Sequence, residues 1–363
     1  MKKITALLLL LMLCALPLRV SALDVSAHSA VLIEAESGKI IFAKDENTRR
    51  GMASTTKIVT ALVAIENMPL DTVLTVPREA VGVEGSSVYL TEGETLTLED
   101  LLYALMLQSA NDAAAVIALA VGGSIEGFAD MMNEKCASLG LTDTHFENPH
   151  GLDGDSHYTT AYELALLSAY ALENEDFARI VSTEKRTIET QGGNTPFRVL
   201  VNHNRLLRTY DDVIGVKTGF TKKCGRTLVS AAERDGVRLV CVTLNDGDDW
   251  RDHRAMLDLG FELYESVSIA AAGELSFDIP VVGGEAETVS VSNKEELRLT
   301  LPRDRGDITV KTELERFIYA GLPAGSRAGR ARFFLDGKQI GALTLYTAED
   351  IPKKTVKRGF FGK

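Results

Sequence analysis

The run Ser54-Thr-Thr-Lys-Ile-Val-Thr-Ala-Leu-Val-Ala-Ile-Glu66 constrains this chain more than any other stretch. Between Ile58 and Ile65 only Thr60 interrupts the apolar residues, so a helix here has to be enclosed rather than laid on a surface. Ser54 and Lys57 stand at its start, three residues apart, and therefore on one helical face about one turn apart. At that spacing a serine hydroxyl and a lysine amine meet within hydrogen-bond range. Serine is a poor nucleophile until a base takes its proton. Lysine serves as that base when burial and a neighbouring cation keep it neutral. Ser-x-x-Lys is a common pattern by itself, so its meaning rests on what lies downstream.

The 363 residues suggest a short leader and two domains, each long enough to bury its own core. Residues 1–22 read as a secretory signal peptide: Lys2 and Lys3 precede the apolar run Ile4–Leu18, and Val20-Ser21-Ala22 offers small residues for cleavage. Leu13 before Cys14 is bulkier than the residue expected ahead of a lipidated cysteine. No other stretch is long and apolar enough to span a bilayer. The mature chain is therefore expected to be exported and extracytoplasmic, in the cell wall or periplasmic space. Its formal charge of -12 becomes -15 once Lys2, Lys3 and Arg19 are removed, which argues against nucleic acid as a partner.

Taken in order, Ala30–Glu34 and Lys39–Lys44 form a hairpin, and Val81–Leu90 is a glycine- and serine-rich loop. Thr97-Leu98-Glu99-Asp100 resembles a capping box for a helix over Leu98–Leu107. That helix breaks at Gln108-Ser109-Ala110-Asn111-Asp112, and helices follow over Ala113–Val121, Ile125–Ser138 and Thr160–Leu172. Val213–Thr221 is a strand, and Glu233-Arg234-Asp235-Gly236 turns a hairpin between Arg226–Ala232 and Val237–Leu244. A last helix covers Arg254–Tyr264. Strands at both ends with helices between predict an α+β catalytic domain over residues 23–265, one antiparallel sheet with helices packed against it. Beyond residue 266 helical periodicity gives way to short alternating runs and the Asp336-Gly337 turn, predicting a small all-β domain over 266–350 and a basic tail over 351–363.

Cys136, Cys224 and Cys241 remain in the mature chain, an odd number that leaves at least one free thiol. The hairpin register separates Cys241 from Cys224 by roughly 13 Å, so no disulfide framework is expected. The cysteines lack paired metal spacing, and neither a metal nor a cofactor is implied.

Two further motifs give the first its meaning. Ser109-Ala110-Asn111 sits at a break between helices, which exposes a hydroxyl beside an amide, and Lys217-Thr218-Gly219 lies in a strand. Ser-x-x-Lys, Ser-x-Asn and Lys-Thr-Gly in this order match the penicilloyl-serine enzymes. Gly85-Ser-Ser87, Phe146-x-Asn-Pro-His-Gly-Leu152, Tyr158-Thr-Thr-Ala161, Asn202-x-Asn-x-Leu-Leu207 and Gly215-Val-Lys-Thr-Gly-Phe-Thr221 narrow the match. The chain resembles the low-molecular-mass, penicillin-binding D-alanyl-D-alanine carboxypeptidases, densely over about residues 28–265 and more loosely beyond.

That resemblance implies a β-lactamase/transpeptidase-like domain followed by a β-sandwich. It also implies peptidoglycan stem peptides ending in D-Ala-D-Ala as substrate, with β-lactams as acylating ligands. Ser54 would attack the terminal peptide carbonyl with Lys57 as base, and Ser109 would relay a proton to the leaving amine. Lys217 would attract the substrate carboxylate and hold the Lys57 pKa down, while Asn111 and Thr218 would bind substrate. Gly219 would let an extended peptide lie against its strand. The backbone N–H groups of Ser54 and Phe220 would form the oxyanion hole. An arginine for the substrate carboxylate is expected beyond the hairpin, where Arg251 and Arg254 stand; neither aligns cleanly, and Arg251 is the candidate. His150 and His157 fit no acid–histidine pattern and read as structural.

Met52, Val59 and Phe220 depart from residues common in the family; the first two alter packing, and Phe220 bears on substrate preference. A serine β-lactamase shares the three motifs, but no Glu-x-x-x-Asn segment between the second and third supplies its extra base. A non-catalytic peptidoglycan or penicillin sensor would not need the nucleophile. Lys353, Lys354, Lys357, Arg358 and Lys363 beside Phe360 and Phe361 give the tail the makings of a weak membrane-surface contact, with a solvated basic end as the alternative.

Overall fold

The computed structural model describes residues 23–355, so the leader over 1–22 and residues 356–363 of the tail lie outside it. The described chain divides into two compact units, one running to Ala232 together with Leu239–Leu259, the other made of Glu233–Arg238 and the residues from Gly260 onward. The division between Leu259 and Gly260 falls within the last helix, before the residue-265 boundary drawn from periodicity.

In the first unit, strands β1 (Ser29–Glu34) and β2 (Ile40–Lys44) are followed by the helix α1 (Lys57–Asn67) and a small ribbon, β3 (Val73–Thr75) with β4 (Thr95–Thr97). Helices α2 (Leu98–Leu107), α3 (Asn111–Gly122), α4 (Ile125–Ser138), α5 (Ala161–Leu172) and α6 (Glu175–Ser182) come next. A second ribbon pairs β5 (Lys185–Glu189) with β6 (Phe197–Val201), and β7 (Val213–Thr221), β8 (Gly225–Arg234), β9 (Val237–Leu244) and α7 (Asp249–Leu263) complete the unit's elements. The sheet order is β2-β1-β9-β8-β7, with β1 antiparallel to both β2 and β9 and β7 antiparallel to β8.

Helix α1 is packed among α2, α3, α4, α5, α6 and β7, and every side chain from Lys57 to Ala64 is buried. This is the enclosure its composition demands. Thr97 caps α2 by accepting the Asp100 N–H at 3.1 Å; Ser124, Thr160 and Asn174 cap α4, α5 and α6 in the same way. The β8–β9 turn places Asp235 and Gly236 at φ 50° and 78°, the left-handed pair a two-residue hairpin needs.

The second unit is all-β. Its six-stranded sheet has the order β14 (Ile308–Leu314), β16 (Arg327–Leu335), β17 (Lys338–Thr347), β12 (Thr288–Asn293), β11 (Ser276–Val282), β15 (Ile318–Tyr319). A ribbon of β10 (Tyr264–Ala270) and β13 (Leu297–Pro302) packs on it through Ala270, Leu297, Ala331, Phe333 and Leu343.

Three features differ from the sequence reading. The β5–β6 ribbon and α6 were not foreseen, since Lys185-Arg-Thr-Ile-Glu189 carries three charges and shows no clear alternation. The last helix begins at Asp249 rather than Arg254, its first turn made of the acidic residues Asp249 and Asp252 that a helix N-terminus favours. Ser54 lies in a separate 3-10 turn, Ala53–Thr56, that leads into α1.

Candidate active site

The 3-10 turn carrying Ser54 is braced from several sides. Thr55 Oγ1 donates to the Met52 carbonyl at 2.6 Å and Thr56 Oγ1 to the Ala53 carbonyl at 2.8 Å. His157 Nδ1 accepts the Glu147 N–H at 3.1 Å, so its proton resides on Nε2, which donates to Thr56 Oγ1 at 2.7 Å. Burial lowers the His157 pKa to about 4, keeping the ring neutral in this bracing role. Gly151 and Gly219 close on the turn. A Cβ on Gly151 would lie 1.9 Å from the Ala53 carbonyl oxygen, and one on Gly219 would lie 2.9 Å from the Ser54 nitrogen. The third motif therefore ends in glycine partly because the β7 backbone touches the nucleophile's own amide.

Lys57 is wholly buried, with Nζ 3.1 Å from Ser54 Oγ and 2.7 Å from Asn111 Oδ1, and it also donates to the His150 carbonyl. Burial, and after it the charge of Lys217, push the Lys57 pKa well below the usual lysine value. Two acceptors absorb both N–H bonds of a neutral amine and leave its lone pair facing the Ser54 hydroxyl.

Asn111 opens α3 and is held in turn. Its backbone N–H donates to the Ser86 carbonyl at 2.7 Å and its side-chain amide to the Glu84 carbonyl at 2.5 Å. Asp112, also buried, accepts from Ser87 Oγ and from the backbone N–H groups of Val88 and Leu90. On the far side of the same loop Arg198 bonds the Val88 and Tyr89 carbonyls while its guanidinium pairs with the fully buried Glu94. Ser109, at the α2–α3 corner, takes φ 59°, so the corner turns sharply and brings the serine to the cleft.

A cleft of about 510 Å³ opens in front of these groups, lined among others by Ser54, Ser86, Ser109, Thr218, Gly219 and Phe220. Lys217 is buried behind it, its ammonium donating to the Thr218 carbonyl at 2.9 Å and its pKa pushed down by burial to about 7. Phe220 is 64% exposed at the cleft's edge.

The arginine assignment needs correction. Arg251 does not line the cleft; its guanidinium bonds Asp252 at 2.8 Å and faces Asp248 at 3.6 Å, with 61% of its side chain in solvent. On a helix consecutive residues point about 100° apart, and here Trp250 takes the cleft-facing position. The arginine in the cleft is Arg226, which pairs with Phe220 across β7–β8. Buried Asp249 holds its guanidinium through two contacts, and the Trp250 ring centroid lies 5.8 Å away. The signal was in the turn: Thr221-Lys-Lys-Cys-Gly225 folds Arg226 back beside Phe220.

Among the described residues Cys136, Cys224 and Cys241 are free and buried, and burial raises each thiol pKa, that of Cys136 to about 12. No group of three or more His, Cys, Asp or Glu side chains among the described residues stands in an arrangement that could hold a metal.

Residues 17–248 match the family described as D-alanyl-D-alanine carboxypeptidase, and residues 264–353 match the C-terminal domain of penicillin-binding protein 5. The chain is 29% identical to the D-alanyl-D-alanine carboxypeptidase DacF of Bacillus subtilis, covering 92% of this chain and 88% of that protein. It is 30% identical to DacA of Escherichia coli, covering 94% and 86%. The crystal structure of penicillin-binding protein 5 from Haemophilus influenzae superposes with a TM-score of 0.71 at 26% identity, covering 91% of this chain and 98% of that one. A Streptomyces DD-transpeptidase superposes with a TM-score of 0.64 at 30% identity, over 67% of this chain and all of the other, 100%.

Proposed function

This chain belongs to the D-alanyl-D-alanine carboxypeptidase family of serine peptidases, and from that premise we propose how its own residues remove the terminal D-alanine from peptidoglycan stem pentapeptides. Ser54 is the nucleophile. Neutral Lys57 takes its proton as Oγ attacks the carbonyl of the D-Ala–D-Ala bond. The carbonyl oxygen becomes an oxyanion held by the backbone N–H groups of Ser54 and Phe220. Ser109 passes the proton to the leaving amine, D-alanine departs, and water hydrolyses the ester to restore Ser54. A β-lactam follows the first half of this course and stays on the serine.

Asn111 orients Lys57 and binds the substrate amide. Lys217 and Thr218 draw the terminal carboxylate to the β7 end of the cleft, and Arg226, fixed by Asp249, faces it there. The observation that carries this reading is the contact of Lys57 Nζ with Ser54 Oγ inside a fully buried lysine site. A peptide ending in Lys-D-Ala-D-Ala tests it. The native protein is expected to release D-alanine and the Ser54→Ala protein none; equal release by both would end the assignment.

The substrate lies outside the cytoplasmic membrane, and the leader-like residues 1–22 support export to that side. The basic residues of 351–363 with Phe360 and Phe361 support a weak contact with the membrane surface. Among the described residues no single helix is long and apolar enough to cross a membrane.

A further inference from the structure

The loop from Glu84 to Glu94 meets the catalytic groups on one side and the β5–β6 ribbon on the other. Val88 is held by both of its backbone groups, its N–H by Asp112 at 3.3 Å and its carbonyl by Arg198 Nε at 2.8 Å. Beside it Asp112 takes the Ser87 hydroxyl at 2.6 Å and the Leu90 N–H at 2.9 Å, while Arg198 Nη2 donates to the Tyr89 carbonyl at 3.2 Å. A carboxylate on α3 and a guanidinium on β6 therefore grip one short segment from opposite sides. Tyr89, 82% exposed, takes φ 60°, a left-handed conformation that a bulky residue keeps only where its surroundings impose it.

Arg198 is itself fixed. Its guanidinium pairs with Glu94 through two nitrogens, Nη2 meeting Oε2 at 3.1 Å, and fully buried Glu94 also accepts the Thr91 N–H at 3.0 Å. Gly193, between β5 and β6, closes over that carboxylate; a Cβ there would lie 2.5 Å from its carbon. Set against apolar groups of the same size, a buried ion pair adds little to stability, and what it supplies is one defined geometry.

The inner side of the loop uses that geometry. The Ser86 carbonyl accepts the Asn111 N–H at 2.7 Å and the Glu84 carbonyl accepts from Asn111 Nδ2 at 2.5 Å, which leaves Oδ1 toward Lys57 Nζ at 2.7 Å. Turned the other way, the amide would donate into the lysine's lone pair and occupy the electrons that take the serine proton. We propose that Arg198, anchored by Glu94, is a positioning residue for the reaction: by holding the Val88 and Tyr89 carbonyls it fixes the loop that sets the Asn111 amide, and through Asn111 the lone pair of Lys57. The proposal rests on the carboxypeptidase reading of Ser54.

The test compares D-alanine release from a peptide ending in Lys-D-Ala-D-Ala by the native protein, Arg198→Met, Asn111→Ala and the two substitutions combined. Rates are taken per folded molecule, the folded fraction read from each protein's urea curve. Arg198→Met should lower kcat about tenfold, as slight misplacement of a catalytic group does. KM, set mainly by the partners of the terminal carboxylate on β7 and β8, should change less than about twofold. In the Asn111→Ala background the same substitution should lower kcat less than about twofold, because the group it positions is gone. A full loss in both backgrounds places the effect of Arg198 elsewhere than Asn111 and overturns the proposal, as does a native kcat in Arg198→Met.

Glu94→Gln with Arg198→Met separates positioning from stability. It removes the unpaired buried carboxylate that Arg198→Met leaves behind, so its urea midpoint should return towards the native value while kcat stays low. Recovery of both together would make the pair a stabilising contact only and overturn the proposal. A native protein that releases no D-alanine refutes the reading of Ser54, whereas native release with an unaffected Arg198→Met protein refutes only the role of Arg198.

Discussion

Lys57 Nζ stands 3.1 Å from Ser54 Oγ, and the lysine is fully buried. Its other partners, Asn111 Oδ1 and the His150 carbonyl, are acceptors without a proton to give, so the amine is oriented by what it donates and reacts through its lone pair. The environment that costs the ammonium its charge is the same one that makes the serine reactive.

Asn111→Asp tests that orientation. A carboxylate in place of the amide restores the Lys57 ammonium by pairing with it, which removes the base. Acylation by benzylpenicillin at neutral pH should fall by about 10²-fold, the usual contribution of a positioned base, with the acid limb moved to higher pH. An unchanged limb would separate Asn111 from the lysine's protonation.

The pH profile of kcat/KM follows from two lysines with opposite duties. Activity rises as Lys57, depressed far below the ordinary lysine value, loses its proton. It falls as Lys217 loses the charge that draws the substrate carboxylate, near its pKa of about 7. Bound carboxylate stabilises the Lys217 cation, so the alkaline limb of kcat should lie above that of kcat/KM. Lys217→Arg, which keeps its charge throughout, should remove the alkaline limb. A limb that stays in place would assign it to another group.

Gly219→Ala probes the contact between β7 and the nucleophile's turn. The new methyl would meet Thr227 Oγ1 at 2.4 Å, Ser54 N at 2.9 Å and Thr55 N at 3.1 Å, two of them backbone atoms that cannot rotate away. Overpacking of this kind costs about 1–3 kcal/mol, and here it also displaces the serine. A fall in melting temperature should accompany a loss of acylation of at least about tenfold. Native activity would show that the turn yields.

Arg226→Gln should lower kcat/KM for peptides with a free terminal carboxylate by about 10²-fold, as removal of a charge-assisted partner does. Arg251→Ala should leave it unchanged, because that guanidinium is paired with Asp252 outside the cleft. The opposite pattern would return the carboxylate to Arg251.

Three histidines, His157 and His253 buried and His150 half-buried, make the fold acid-sensitive. Burial lowers His150 and His253 to about 3 and His157 to about 4. The unfolded chain takes up these protons near 6.5, so between about 6.5 and 4 it binds more protons than the folded chain and stability drops as pH falls. Each ring contributes roughly 2 kcal/mol of loss between pH 6.5 and 5. Urea midpoints at pH 7 and pH 5 measure this. His253→Gln, replacing a ring held between Ser230 and Thr243, should narrow the difference; an unchanged difference would exclude His253.

Much of this was legible in the residues, for identifiable reasons. The apolar run after Lys57 could only be enclosed, the Thr97–Asp100 box caps α2, and Asp235-Gly236 turns the β8–β9 hairpin. The three motifs converge on one cleft: Ser54 and Lys57 lead into α1, Ser109 and Asn111 stand at the α2–α3 corner, and Lys217–Gly219 lies along β7 against the nucleophile's turn. The place of Arg226 and the β5–β6 ribbon were missed. Arg226 was legible as the first residue of its strand, but its place in the cleft opposite Phe220 depends on the pairing of β7 with β8, and Lys185–Glu189 shows no alternation that would announce β5. The left-handed Ser109 likewise follows from the packing of two helices, which no local pattern encodes.

The most direct test is the mass of the mature protein after exposure to benzylpenicillin, measured beside the Ser54→Ala variant. A lasting increase equal to one penicilloyl group, mapped to Ser54 and absent from the variant, is the expected result. Penicillin consumed with no adduct, or an adduct that survives Ser54→Ala, would contradict the account.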